Sequence, residues 1–288
     1  MKKILGILIT AVVSVMFFGS CDPIEDRQEM KGAVTEADVR AKVTVEAVVR
    51  NGVNSNYIYV NADGLAPCVV SFKHGLGTFV GTNGTFQGFV VPGTFDVYVN
   101  VLNADGTMLS PIAFPVTVDQ CFDVAPEWEL FCGTGFKTWT WDNSQPLVWG
   151  NGGYLADKQP AWWGRPLAEV GSETNAAGEG EGATMIFSAD GATLVKHRTD
   201  GTTQSGTFSF DMSKTKVSAQ DGSTWSIGKF NTVGVTVPCG KAQNKGEDPV
   251  YVYDIIQLTD QQMVFAWSED GDGAGAWGGC WFWMFKAE

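Results

Sequence analysis

Histidine is almost missing from this chain. His74 and His197 are the two copies in 288 residues. No GxSxG, HExxH or P-loop motif accompanies them, so hydrolysis by a histidine-assisted nucleophile, a zinc protease helix and nucleotide cradling all lack their residues. No CxxC pair or His-rich spacing is present either, which removes the usual zinc frameworks; no metal and no cofactor are expected. Charge is scarce at 18%, and basic residues are the scarcer kind, with 19 Lys and Arg against 32 Asp and Glu and a net charge of −13. Without a basic cluster, neither nucleic acid nor an anionic lipid surface has anything to bind electrostatically. No segment keeps a helical period for long. Tryptophan is absent before Trp128, which is the first of 11 copies.

What is abundant is glycine, 35 copies, in a chain that is 44% hydrophobic. That combination suits short strands joined by many turns, and the expected class is all-β. The first residues form a separate unit. Lys2 and Lys3 precede an apolar run over 4–18, too short for a convincing membrane span, and Gly19, Ser20 and Cys21 follow where a signal peptidase would cut. Small residues directly before a cysteine resemble the bacterial lipobox, with Phe18 where leucine is usual. The resemblance implies cleavage before Cys21, its acylation, and attachment to the outer membrane by lipid with no spanning helix. Asp22, Glu25 and Asp26 resemble the surface-export signal of Bacteroidetes lipoproteins, which implies the cell surface. An ordinary solvated linker, with the protein on the periplasmic face, is the alternative. The remaining cysteines, Cys68, Cys121, Cys132, Cys239 and Cys280, are odd in number. They read as small buried apolar residues, with one disulfide allowed.

After an acidic tether over 22–38, strand candidates cover 42–49, 57–60, 68–72, 88–91, 94–101 and 112–118. In the clearest of them Phe95, Val97, Val99 and Val101 share one face, and a turn at 103–106 ends it. This spacing suggests an Ig-type β-sandwich over 39–120. Pro92-Gly93-Thr94-Phe95-Asp96-Val97-Tyr98-Val99-Asn100-Val101, followed by Asn103-Ala104-Asp105-Gly106, resembles the late strands of PKD-type domains. The earlier Trp-Asp-Phe-Gly-Asp-Gly run of that family is replaced by Ser71-Phe72-Lys73-His74-Gly75-Leu76-Gly77. The resemblance implies a spacer module and no chemistry.

The arrival of tryptophan marks a second domain over 121–288. Strand candidates there cover 137–141, 183–187, 192–196, 205–211, 233–237, 251–258, 263–267 and 280–285. The order resembles lipocalin-like domains of Bacteroidetes lipoproteins. It shares a first strand with Trp139 and Trp141, the Phe187-Ser188-Ala189-Asp190-Gly191 hairpin, the Gly206-Thr207-Phe208-Ser209-Phe210-Asp211 strand, and a last aromatic strand ending at Phe285-Lys286. An up-and-down antiparallel barrel and a jelly-roll sandwich both fit these strands.

The residues over 137–165 carry five tryptophans. Trp139 and Trp141 alternate along a strand, as do Trp281 and Trp283, and belong to a core. Trp149, Tyr154, Trp162 and Trp163 sit instead among glycines and prolines with no alternation. Indoles on such loops either form a lid or bind a ligand. A sugar ring stacks its C–H face on indole, and Asp142, Asn143, Asn151, Asp157 and Arg165 could take its hydroxyls. Trp267 and Trp277 flank a loop over 268–276 and are expected at the same mouth. Asp270 and Asp272 in that loop are spaced like the start of a calcium loop but lack the later bidentate glutamate, so a flexible acidic turn is the plainer reading. Glu169, Glu173, Glu179 and Glu181 are available to a glycosidase but lie on a Gly- and Ala-rich loop that holds geometry badly, and Glu127, Glu129, Asp142 and Asp254 are the only carboxylates near expected strands.

The whole arrangement resembles the accessory binding lipoproteins of Sus-type polysaccharide uptake systems in Bacteroidetes. That resemblance implies a polysaccharide or oligosaccharide ligand, β-glucan for example, and a TonB-dependent transporter complex as partner. A glycoside hydrolase on the same scaffold and a lipocalin-like carrier of a small apolar ligand are the alternatives.

Overall fold

The structure is a computed structural model and describes residues 33–172 and 177–288. The leader, Cys21 and most of the tether lie outside the described residues. The last part of the tether expectation is corrected. Helix α1 (Glu36–Lys42) occupies it, because Thr35 and Asp38 close a reciprocal capping box at its first turn.

Seven strands then form two antiparallel sheets. They are β1 (Thr44–Arg50), β2 (Val53–Asn61), β3 (Val69–His74), β4 (Gly77–Val80), β5 (Asn83–Gln87), β6 (Gly93–Leu102) and β7 (Ile112–Val118). The orders β1-β2-β5 and β4-β3-β6-β7 make an Ig-like sandwich. Strand β6 buries Val97, Val99 and Val101 completely against Ile58, Val60 and Phe72, as its alternation requires. The strand expected at 88–91 does not exist. That segment runs between two cores, with Phe89 in the sandwich and Val90 and Val91 in the core of the second domain, so it is apolar without alternating.

The junction is well bonded. Asn56 is buried; its Nδ2 donates to the carbonyls of Phe89 (2.9 Å) and Phe122 (3.2 Å), and its Oδ1 accepts from Phe122 N (2.8 Å). Arg50 reaches Asp123 at 2.9 Å, and Gly191 N donates to Gly75 O at 2.6 Å.

The chain continues through α2 (Glu127–Cys132), β8 (Phe136–Trp141), β9 (Trp149–Gly153), β10 (Trp163–Arg165), α3 (Leu167–Val170), β11 (Thr184–Ser188), β12 (Thr193–His197) and β13 (Thr203–Asp211). It ends with β14 (Lys216–Val217), β15 (Thr224–Ser226), β16 (Gly228–Val233), β17 (Val252–Leu258), β18 (Gln262–Ser268) and β19 (Gly279–Ala287). The order β8-β11-β12-β13-β16-β17-β18-β19, closed by β19 on β8, is an eight-stranded up-and-down antiparallel barrel. Each strand pairs with its successor apart from the inserted pairs β9-β10 and β14-β15, which rules out the jelly-roll order. The strand expected at 233–237 lies earlier, at β16. Val235 and Val237 are buried instead in the coil that follows it.

The barrel is filled with side chains. Trp139, Trp141, Phe187, Phe230, Phe265 and Trp283 are each 1% exposed or less. Phe230 and Phe265 stack at 4.6 Å, and Tyr253 meets Trp283 edge to face at 5.4 Å. Helix α2 closes one end by inserting Phe131, which stacks on Phe187 and Phe230 and whose carbonyl accepts from Trp139 Nε1 at 3.0 Å. Burying each such ring stabilises the fold by about 1.5–3 kcal/mol.

The opposite closure is ionic. Lys196, 1% exposed on β12, lies 2.7 Å from Glu179 Oε1, which also receives Arg198 Nε at 2.7 Å. Glu179 Oε2 accepts from Cys239 N at 2.5 Å. Burial works against the Glu179 carboxylate, but Lys196, Arg198 and the Cys239 amide outweigh it and hold its pKa below the usual range. The expectation that this glycine-rich loop leaves its glutamates loose is therefore overturned at Glu179, since a buried cation fixes it. The five described cysteines are free thiols.

Candidate functional site

Strand β19 is longer than its barrel neighbour needs. Its second half pairs with β8 over Phe285–Ala287, whereas Gly279–Trp283 pair with β9. The sheet therefore runs on past the barrel through β9 to the edge strand β10. Antiparallel register sets side chains of partner residues on one face. Trp163 is opposite Asn151, Asn151 opposite Trp281, and Trp281 opposite Trp267. The next row on that face carries Arg165, Trp149, Trp283 and Phe265. Four strands thus bring five of the expected residues together: Trp149, Asn151, Trp163, Arg165 and Trp267.

The rings form a continuous stack. Trp149 and Trp281 lie 5.2 Å apart, and Trp163 meets both edge to face, at 5.9 Å and 5.7 Å. The Arg165 guanidinium sits 4.6 Å from the Trp163 ring centre and 3.4 Å from Glu169. Trp163 remains 39% exposed on top of this base, and Trp162 beside it is 53% exposed. The Trp277 ring, 54% exposed, lies against Gly153. Gly153 is two residues from Asn151 and so on the same side of β9. Gly150 makes the hairpin close enough to hold this arrangement, because a Cβ there would come within 2.3 Å of Trp163 O.

Beneath the surface, Trp149 Nε1 and Asn151 Oδ1 are buried polar atoms without a hydrogen-bond partner. Trp281 Nε1 donates to Glu269 Oε1 at 2.8 Å, and Asn244 Nδ2 donates to the same oxygen at 3.2 Å. Sequence reasoning assigned Trp281 to the core, and it is 3% exposed, yet it is the floor of the indole face. The signal was its position at the start of an aromatic strand longer than its neighbours.

Two expected residues, Tyr154 and Asp142, fall elsewhere, and the expectation that Trp149 and Tyr154 stand on open loops is corrected. Trp149 belongs to a strand and is buried by Trp163 and Trp281. Tyr154 is 1% exposed on the outer side of the barrel, edge to face with Trp225, with its hydroxyl 2.7 Å from Lys216 Nζ. Asp142 is buried in its own turn. One oxygen accepts from Ser144 N and Oγ, and the other from the side-chain amides of Gln145 and Gln262. Burial opposes its charge, but these bonds prevail and lower its pKa. Asp270 and Asp272 point to different lysines, Lys245 and the pair Lys216 and Lys229. Among the described residues no cluster of His, Cys, Asp and Glu is arranged to hold a metal ion.

No protein-family model matches this chain, and no curated protein matches it.

Proposed function

We propose that this protein is a cell-surface glycan-binding lipoprotein, anchored in the outer membrane through acylated Cys21, that holds a polysaccharide on Trp162, Trp163 and Trp277. The observation carrying this reading is the indole row across β10, β9, β19 and β18, with one member exposed over two buried ones. Exposed indoles on a rigid sheet are surface that water solvates poorly and that a sugar C–H face covers well. A ligand hydroxyl entering beside Trp163 would also supply the partner that Trp149 Nε1 and Asn151 Oδ1 lack. The sandwich then serves as the spacer, and a TonB-dependent transporter is the partner that would consume the captured glycan.

Two observations favour binding over the rival functions. The carboxylates around the indoles are committed to structure: Glu269 to Trp281, Asp270 to Lys245, Glu169 to Arg165, and Asp157 to Gly153 N. Glycoside hydrolysis needs a free pair flanking the bond. A carrier of apolar ligands needs a hollow barrel, and this interior is filled with rings. Electrophoresis of the purified protein through gels cast with individual polysaccharides, followed by a reducing-end assay on the same polymers, tests the reading. Retardation by a polymer without release of sugar is expected; release of reducing ends would replace binding by hydrolysis.

A further inference from the structure

A second polar site lies on the outer face of the barrel, on the other side of the sheet from the indoles. Lys229, Asp254 and Ala266 are consecutive register partners on β16, β17 and β18, and Ser268 follows Ala266 on the same face. With Val252, Trp267, Gly271 and Asp272 they line a cavity of about 170 Å³, so that Trp267 borders both this cavity and the indole row. The lining is built and dry of its own bonds at two points. Ser268 is 5% exposed and its Oγ has no hydrogen-bond partner. Asp254 is 2% exposed; its Oδ2 receives Lys216 at 2.8 Å, but its Oδ1, although 3.1 Å from Lys229 Nζ, accepts no hydrogen bond. The buried serine hydroxyl calls for a partner, and Asp254 Oδ1, ion-paired with Lys229, keeps lone-pair capacity for a further donor.

The charges decide what that partner is. Lys216 and Lys229 balance Asp254 and Asp272, and both lysines reach Asp272 as well. A cation entering the cavity would meet the Lys229 ammonium in the wall and carboxylates already paired with Lys216, and an anion would meet the carboxylates of Asp254 and Asp272. A hydroxyl meets neither objection, since it donates to a carboxylate oxygen and accepts from an ammonium or a serine. The volume far exceeds the ~15 Å³ that one water requires and falls below the ~300 Å³ at which pockets for drug-sized ligands begin. Val252 and Ala266 give the apolar side of such a molecule a wall.

We propose that this pocket binds a neutral polyhydroxylated compound no larger than one sugar ring, with hydroxyls donating to Asp254 Oδ1 and exchanging hydrogen bonds with Ser268 Oγ. The site touches the indole row at Trp267 but is distinct from the exposed Trp162, Trp163 and Trp277, and it stands whether or not those hold glycan.

Saturation-transfer NMR on the purified protein tests it, with glucose, galactose, myo-inositol and glycerol as neutral probes and glucuronate and inorganic phosphate as charged ones, each at about 50 mM to reach weak affinities. Measured in a Trp162→Ala/Trp163→Ala background, so that those indoles contribute no signal, transfer to at least one neutral probe is expected, and it is about tenfold weaker when Ser268→Val is added. Should Ser268→Val unfold, Val252→Trp fills the mouth from a position that is 47% exposed and is expected to give the same loss. Absence of transfer to every neutral probe, stronger transfer to a charged one, or equal transfer in the folded variants would overturn the assignment.

Discussion

Trp163 and Trp281 meet edge to face with ring centres 5.7 Å apart and planes at 66°, although a whole strand lies between them in the sheet. That strand contributes Asn151 at the intervening position, and the short amide lets the two indoles close over it. The contact couples an edge strand to the barrel wall, so the exposed indole has a fixed base.

The base can be removed without touching an aromatic ring. Gly150→Ala places a methyl within 2.3 Å of Trp163 O, where β9 and β10 have no room for it. The hairpin must separate, and polysaccharide retardation should fall as far as in a tryptophan variant while the barrel still melts cooperatively. Near-ultraviolet circular dichroism against affinity electrophoresis checks both halves.

The Glu179 cluster predicts acid sensitivity. The folded pKa of Glu179 is depressed, by Lys196 and Arg198 acting against burial. Its contribution is therefore complete above the unfolded value of about 4.3 and is lost as pH falls below that towards the folded value. Glu179→Gln leaves Lys196 buried without its counter-ion and should cost about 3–5 kcal/mol at neutral pH, with a flatter acid limb. Urea melts of both proteins between neutral and acid pH measure this.

Trp139 separates packing from hydrogen bonding. Trp139→Phe keeps a ring in the barrel but frees the Phe131 carbonyl, at a cost of about 1–2 kcal/mol, while Trp139→Ala should cost about 3–5 kcal/mol. No loss in Trp139→Phe in denaturant titrations would show that the bond to helix α2 contributes nothing.

Asn56 predicts how the two domains behave. Replacing it by alanine strands the Phe89 carbonyl and the Phe122 N–H at the junction, while the Phe122 carbonyl keeps Gln87 Nε2. Small-angle scattering should then give a larger radius of gyration than for the unaltered protein, with each domain still folded. An unchanged radius would mean that the apolar contacts of Val90 and Val91 suffice.

Much of the fold is legible in the sequence where one face is wet and the other buried. Val97, Val99 and Val101, like Trp139 and Trp141, announce their strands by alternation. The segment at 88–91 does not, because it is apolar for two cores at once. Strand β9 hides for another reason: Trp149-Gly150-Asn151-Gly152-Gly153 reads as a turn, and becomes a strand only because β19 offers it an unpaired edge. That pairing spans more than a hundred residues and leaves no local mark. The candidate site was half visible for the same reason. Trp162, Trp163 and Trp277 stand out by composition, whereas Trp281 and Gly150 matter through register alone. Glu179 sits in a loop whose composition conceals a buried ion pair.

The most direct test of the central claim is affinity electrophoresis of the unaltered protein beside Trp163→Ala and the double variant Trp162→Ala/Trp163→Ala, in the polysaccharide that retards it most. Losing one anchoring indole should weaken binding by about 2 kcal/mol, some 30-fold, and the double variant should run as in a gel without polymer, with melting temperatures little changed. Full retardation of the folded double variant would contradict the account, since the glycan would then be held by a surface other than the indole row.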